Sequence, residues 1–352
     1  MPFVKANCTN CNGTLKVDST KDAWICEYCG SPFIVDKAIN NYNITNNNTI
    51  HANTVNIYGG NSEDFVIRGG VLIKYNGSST SAVIPNIVTH IGANSFASCY
   101  GLKEVIIPNS VVEIGASAFS GCKNLQSINI PDSITKIEKC AFNECSNLKS
   151  VNLSHRVEKI EIDTFLSCTN LQSVNIPDSV VEIGISAFSG CKNLQSINIP
   201  VSVTKIEEFA FNECSSLKSI NIPDSVKSIR YAFTNCTSLQ SVNIPDSVTD
   251  IAYAFKGCTS LQSVNIPNSV TTINGAFEDC TSLQSVNIPT RAIWNYDPFV
   301  GCPDTLIFEG ESLFQLKGIR LLQNRIDEHR CIYCGGKLHW FFRKCNECGK
   351  YS

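Results

Sequence analysis

One apolar pattern recurs ten times along the middle of the chain, and its phenylalanines mark the interval: Phe96, Phe119, Phe142, Phe165, Phe188, Phe211, Phe233, Phe255, Phe277 and Phe299. The spacing is 23 residues up to Phe211 and 22 thereafter. A fixed period of this size means stacked, near-identical coils and excludes a globule built round one central core. The segment Leu125 to Leu148 shows the unit: Leu125, Ile128, Ile130, Pro131, Ile134, Ile137, Ala141, Phe142 and Cys145, before Leu148 begins the next.

Within the unit Ser127-Ile128-Asn129-Ile130 alternates polar and apolar, which predicts one short strand per coil with one buried face. Proline follows nine of the ten strands, where its missing N–H ends pairing and turns the chain; Ser154 is the exception. The later positions Ile134, Ile137, Ala141, Phe142 and Cys145 fall at intervals of three, four, one and three, which predicts helical or 3₁₀ turns on the convex side. Ten coils stacked at about 4.8 Å each give a rod on the order of 50 Å long. The residue lost in the shorter coils lies between the second isoleucine and the phenylalanine (Ile206 to Phe211 against Ile229 to Phe233), so strand register is spared. A longer self-match, Ser110–Leu153 onto Ser179–Ile222, points to duplication of three coils as a block.

The pattern from Ile84 to Cys302 resembles the BspA-type leucine-rich repeats, whose unit reads LxxLxLPxSLxxIxxxAFxxC. The resemblance implies a leucine-rich-repeat horseshoe or rod used for binding other molecules, and many relatives are secreted or surface-attached adhesins. The fold class expected is therefore a repeat solenoid of short parallel strands with convex helical or 3₁₀ turns, carrying two small four-cysteine zinc-ribbon domains.

Those ribbons are read from the cysteines. Nineteen are present, and a start without a basic and then apolar leader points to reduced thiols in the cytoplasm. Ten form the repeat column from Cys99 to Cys302, expected as a buried stack of small apolar side chains, and Cys140 stands apart. Cys8, Cys11, Cys26 and Cys29 form two CxxC pairs 14 residues apart, with Gly13 and Gly30 just beyond. Four such thiolates hold Zn²⁺ tetrahedrally at about 2.3 Å. So short a unit lacks core enough to fold without the metal. Cys331, Cys334, Cys345 and Cys348 repeat the arrangement with a gap of ten residues. Two structural Zn²⁺ sites are expected, and His329 and His339 are read as bystanders.

The domain order expected is a zinc ribbon over 1–36 and an Asn-rich connector, or short strands, over 37–60. A β-hairpin cap over 61–84 turns at Gly69-Gly70, and repeats fill 85–310. An amphipathic helix over 311–329, carrying Leu313, Leu316, Ile319, Leu322 and Ile326, precedes a second ribbon over 330–352. A last strand is expected at Thr305–Phe308, after a degraded coil with Trp294 and Tyr296.

Outward strand residues are Ser and Asn, from Ser127 and Asn129 to Ser285 and Asn287. They form a neutral face that either hydrogen-bonds a long regular partner or ladders its own amides coil to coil. Glu113, Lys136, Lys159, Glu182 and Lys205 partly alternate in sign and predict weak ion pairs between coils. Glu104 and Ile106 in the first strand, with His155 and Arg156 where proline is missing, are the candidates for specific contact.

No nucleophile, phosphate loop or open metal site is legible, and repeated like residues do not converge as catalysis needs; no enzyme is expected. With a net charge of −3 and no run of 18 apolar residues, neither nucleic acid nor membrane is a general expectation. The function expected is a cytoplasmic, non-enzymatic scaffold or adaptor with a protein partner, able to self-associate through the Asn-rich segment or the ribbons. Two alternatives stand beside it. One is a nucleic-acid-associated regulator using the ribbons and the basic C-terminal residues Arg343 and Lys344; the other is a surface adhesin of the BspA type.

Overall fold

The computed structural model describes residues 64–309 and the backbone of four N-terminal strands. Residues 64–309 form a right-through stack of coils whose buried column positions make one continuous core. The predicted strands line one side, except that Ser196–Asn198 forms none. Ser81–Val83, Glu104–Ile106, Ser127–Asn129, Ser150–Asn152 and Ser173–Asn175 make a five-stranded parallel sheet. Ser219–Asn221 pairs with Ser241–Asn243, and Ser263–Val264, Ser285–Asn287 and Ile307–Glu309 make a three-stranded sheet. Equivalent residues pair, as in Val151 with Val174 and Ile220 with Val242. The last strand starts later than expected, at Ile307.

Two features of the coil differ from the sequence reading. One strand per coil is too few: the coils of 23 residues carry a second, two-residue strand, at His90–Ile91, Glu113–Ile114, Lys136–Ile137, Lys159–Ile160, Glu182–Ile183 and Lys205–Ile206. These make their own parallel ladder, interrupted between Lys136–Ile137 and Lys159–Ile160. There two lysines would face each other across the pair, an unfavourable arrangement. In the shorter coils only isolated bridges remain, such as Ser228 with Asp250 and Asp250 with Thr272.

The convex side, secondly, is neither helical nor 3₁₀ among the described residues; it is a chain of turns. The reason lies in where the N–H groups point. Ala118, Ser120 and Cys122 donate to carbonyls three residues back within their own coil, whereas Ser117, Phe119 and Gly121 donate to Lys139, Ala141 and Asn143 of the next. A helix would keep all of these bonds within the coil. Two residues per turn adopt left-handed φ to aim N–H groups along the rod, among them Cys140 at 57°, Glu144 at 57° and Tyr231 at 56°. The neighbouring coil imposes this conformation on residues that do not favour it.

The phenylalanines are fully buried and stack along the rod, with centroids 5.4 Å apart from Phe119 through Phe211. The interior cysteines are buried as expected, and each thiol donates to a phenylalanine carbonyl of the preceding coil, Cys145 Sγ to Phe119 O at 3.2 Å for example. After β1 (Phe3–Asn7), β2 (Thr14–Asp18), β3 (Ala23–Ile25) and β4 (Pro32–Ile34), the N-terminal cap of the rod consists of β5 (Phe65–Arg68) and β6 (Val71–Tyr75). Its turn residues Gly69 and Gly70 both have positive φ, 54° and 79°, as a type I′ hairpin requires. Tyr75 lies 5.0 Å from Phe96 and 5.1 Å from Phe65, which extends the aromatic stack to the rod's end.

The fourth proline position shows how a departure from the pattern is absorbed. In six other coils the serine two places after proline donates to the preceding coil, Ser133 Oγ to Val111 O at 2.6 Å and Ser179 Oγ to Val157 O at 2.7 Å among them. In this coil that serine is replaced by Arg156, and Ser154, standing in for the proline, donates to Ile134 O at 2.7 Å instead. Ser154 is fully buried.

Phe165→Ala should lower stability by about 3–5 kcal/mol in urea titration, since it opens a void between two stacked rings; a loss under about 1 kcal/mol would mean the stack is not the core. Ser154→Ala should cost about 1–3 kcal/mol by leaving Ile134 O unpaired. Ser154→Pro combined with Arg156→Ser restores the common pattern and should return stability to within about 1 kcal/mol of the starting protein.

Candidate functional site

The sheet face is assembled by the alternation of the strands. In Ser127–Asn129, Ser150–Asn152, Ser173–Asn175 and Ser219–Asn221 the central residue is buried and both flanking residues are exposed. Among the described residues no strand asparagine hydrogen-bonds the strand asparagine of the next coil. Asn287 alone turns inward, its Oδ1 accepting from Ile266 N at 2.6 Å and its Nδ2 donating to Ile266 O at 2.7 Å. The amide ladder runs instead along a column the sequence reading passed over: Asn147, Asn170 and Asn193 each donate Nδ2 to the Oδ1 of the preceding coil's asparagine, at 3.1, 3.0 and 2.9 Å, from Asn124 onward. Coil-to-coil amide bonding therefore sits at the turn before the strand and leaves the strand face open to solvent.

Charge collects at the two edges of that face. Asp132, Asp178, Asp224 and Asp246 follow the strands and are exposed; Lys103, Lys149 and Lys218 precede them and are exposed. An extended partner lying along the rod would meet carboxylates on one side and ammonium groups on the other. A groove of about 450 Å³ lies where the ladder breaks between Ser241–Asn243 and Ser263–Val264. Asp224, Asn243, Asp246, Asn265, Asn268 and Asn287 line it.

The candidates for specific contact lie on this face or its edge. Glu104 and Ile106 are both exposed in their strand, and Ser81–Val83 supplies one more strand before them. His155 is exposed beside Asp132, with Nε2 3.2 Å from Oδ2. Arg156 is also exposed, freed because Ser154 makes the structural bond.

The charged column behaves as expected: Lys136 reaches Glu113 at 3.4 Å, and Glu182 lies between Lys159 at 3.3 Å and Lys205 at 3.7 Å. Glu138, Glu161 and Glu207 add partners within the same coils. Lys136 and Lys205 have raised pKa values from the hydrogen bonds of Glu138 and Glu207. Lys159 is raised too, its carboxylate partners outweighing the burial that acts the other way. A second feature missed in the sequence is a lateral aromatic stack of Phe209, Tyr231 and Tyr253, with centroids 4.9 and 4.8 Å apart. Its signal is three aromatics in one column of consecutive coils.

The buried thiols of the interior coils are poor nucleophiles, whereas the partly buried Cys99 is lowered by its hydrogen bond with Cys122. Burial pushes Cys145 and Cys236 up to about 12, away from the thiolate that attacks or binds metal. Burial and the Asp163 carboxylate push Cys140 up as well. Among the described residues no group of three or more His, Cys, Asp or Glu side chains is placed to hold a metal ion.

The cysteines predicted to bind zinc lie outside the described residues, as do the Asn-rich stretch, the 311–329 segment, Arg343 and Lys344. Four short strands bracket the first set. β1 (Phe3–Asn7) pairs antiparallel with β2 (Thr14–Asp18), ending at Asn7 opposite Thr14; β3 (Ala23–Ile25) pairs with β4 (Pro32–Ile34), ending at Ile25 opposite Pro32. Each connection is thus six residues long, 8–13 and 26–31, and each contains one CxxC pair.

A family model described as the BspA type leucine rich repeat region, in six copies, matches residues 73–195 and 181–305. Among curated proteins, none matches the chain. Among solved structures the chain is similar to a leucine rich cell surface protein from Faecalibacterium prausnitzii, 26% identical, covering 73% of this chain and 95% of that one with a TM-score of 0.42. It is also similar to a leucine-rich repeat protein from Bacteroides ovatus, 27% identical over 72% of this chain and 94% of that one, TM-score 0.34. The T. pallidum leucine rich repeat protein is 28% identical over 54% of this chain and 82% of that one, TM-score 0.39. With two thirds of its length matched by the repeat model, and the stacked coils described above, the chain belongs to the BspA-type leucine-rich repeat family.

Proposed function

We propose that this protein is a non-enzymatic interaction scaffold whose strand face binds an extended segment of a protein partner. The observation that carries the reading is the exposed, uncoupled Ser and Asn face between a carboxylate edge and a lysine edge. Hydroxyls and amides repeated at about 4.8 Å, the spacing between neighbouring strands, offer a partner hydrogen-bonding groups at a regular interval along the rod. The edges select orientation, since a partner laid the wrong way round would set like charges together.

The terminal cysteines act as clasps in this reading. Cys8, Cys11, Cys26 and Cys29 would hold one Zn²⁺, and Cys331, Cys334, Cys345 and Cys348 a second. The metal supplies folding energy to two short segments and no reaction. The two hairpins that bracket the first set support this role.

A partner captured under reducing conditions should bind the Asp224→Lys, Asp246→Lys double variant about tenfold or more slowly at low salt, with the difference shrinking at high salt. Unchanged association of a variant that keeps its circular dichroism would remove the strand face from consideration. Elemental analysis of protein purified without chelator should find two Zn²⁺ per chain, and one after Cys8→Ser with Cys11→Ser. Finding no zinc, with the eight thiols titrating as free or as disulfides, would discard the clasps.

A further inference from the structure

The cysteine column begins differently from the way it continues. From Cys145 to Cys280 the thiols are buried, and each donates to the carbonyl of a phenylalanine one coil earlier. Cys99 opens the column, where the ring before Phe96 in the aromatic stack is Tyr75 of the hairpin cap. Its thiol is only partly buried and hydrogen-bonds with the thiol of Cys122 in the next coil. The ammonium of Lys74, on β6, adds a positive charge nearby. Cys302, at the far end, is partly buried too, but it donates to Phe277 O at 3.1 Å as the interior thiols do, and burial pushes it up to about 12. At Cys99, then, a thiol within reach of solvent meets a second thiol one layer away.

We infer that Cys99 and Cys122 form a peroxide-sensitive thiol pair that closes to a disulfide and ties the first coil to the second. The stack already sets the distance. Phe96 and Phe119, three positions before the two cysteines, lie 4.8 Å apart, and a layer spacing of that size falls within the about 4.4–6.8 Å between α-carbons that a disulfide spans. Cys122 has one proton to donate and two acceptors for it, Phe96 O at 3.0 Å and Cys99 Sγ. Ionisation of Cys99 makes its sulfur the stronger acceptor, which steadies the thiolate. That thiolate attacks one oxygen of hydrogen peroxide, the O–O bond breaks, hydroxide leaves, and Cys99 becomes a sulfenic acid. Cys122 Sγ then attacks the Cys99 sulfur; the S–O bond breaks, and the departing oxygen leaves as water with the Cys122 proton. Two electrons pass from the sulfurs to the peroxide, and Phe96 O keeps its other donor, Cys99 N at 3.1 Å. In a rod whose stability lies between coils, the crosslink acts on the interface next to the N-terminal cap.

The test is peroxide titration of the reduced full-length chain, followed by blocking of free thiols and peptide mapping. The Cys99 and Cys122 peptides should become joined at least tenfold faster than any thiol from Cys145 to Cys280 is modified, and dithiothreitol should separate them. In Cys122→Ser, checked for folding by circular dichroism, the sulfenic acid meets no second thiol, so dimedone should label Cys99 there and much less in the parent protein. Oxidation of Cys99 no faster than that of Cys302 would overturn the inference. So would a Cys99 joined to any cysteine other than Cys122, a link between two chains, or a Cys99 that takes no dimedone in Cys122→Ser.

Discussion

A coil of this protein cannot satisfy its own backbone. Through the convex turn every second N–H points out of the coil and finds its carbonyl one layer further along, as Ser117, Phe119 and Gly121 do with Lys139, Ala141 and Asn143. The phenylalanine beneath meets the same condition, because each ring is covered only when another lies on either face of it. Stability therefore resides in the interfaces between coils rather than in any coil alone.

This constraint explains which departures from the pattern are tolerated. One residue is lost in the later coils from the segment between the second isoleucine and the phenylalanine, and there the second ladder shrinks to isolated bridges. The strand face and the aromatic stack keep their register. Where proline is replaced by Ser154, the carbonyl of the preceding coil still receives its hydrogen bond, from a different side chain. The interface is conserved as chemistry even where the residues that make it change places.

The same constraint shapes what the surface can do. Stacking near-identical coils repeats one set of outward groups at a fixed interval, and the proposed extended partner rests on that regularity. Amides that bond along the rod lie in the column from Asn124 to Asn193, so the strand asparagines remain outward and exposed. Family membership accounts for the solenoid.

Much of this was legible in the residues themselves. The Phe interval determined a stacked solenoid, the alternation in Ser127-Ile128-Asn129 located the strands, and Gly69-Gly70 located the capping hairpin, because each depends on local periodicity or on a backbone angle that few residues adopt. The spacing of Ile134, Ile137, Ala141 and Phe142 was misleading. Turns and helices bury side chains at similar intervals, and only the position of the next coil's carbonyls decided that the N–H groups would leave the coil. Left-handed Cys140, Glu144 and Tyr231 were illegible for the same reason, since nothing about those residue types prefers that conformation. The column in which amides ladder was likewise a tertiary decision, fixed by which asparagines come within 3 Å or so of their counterparts once the coils are stacked.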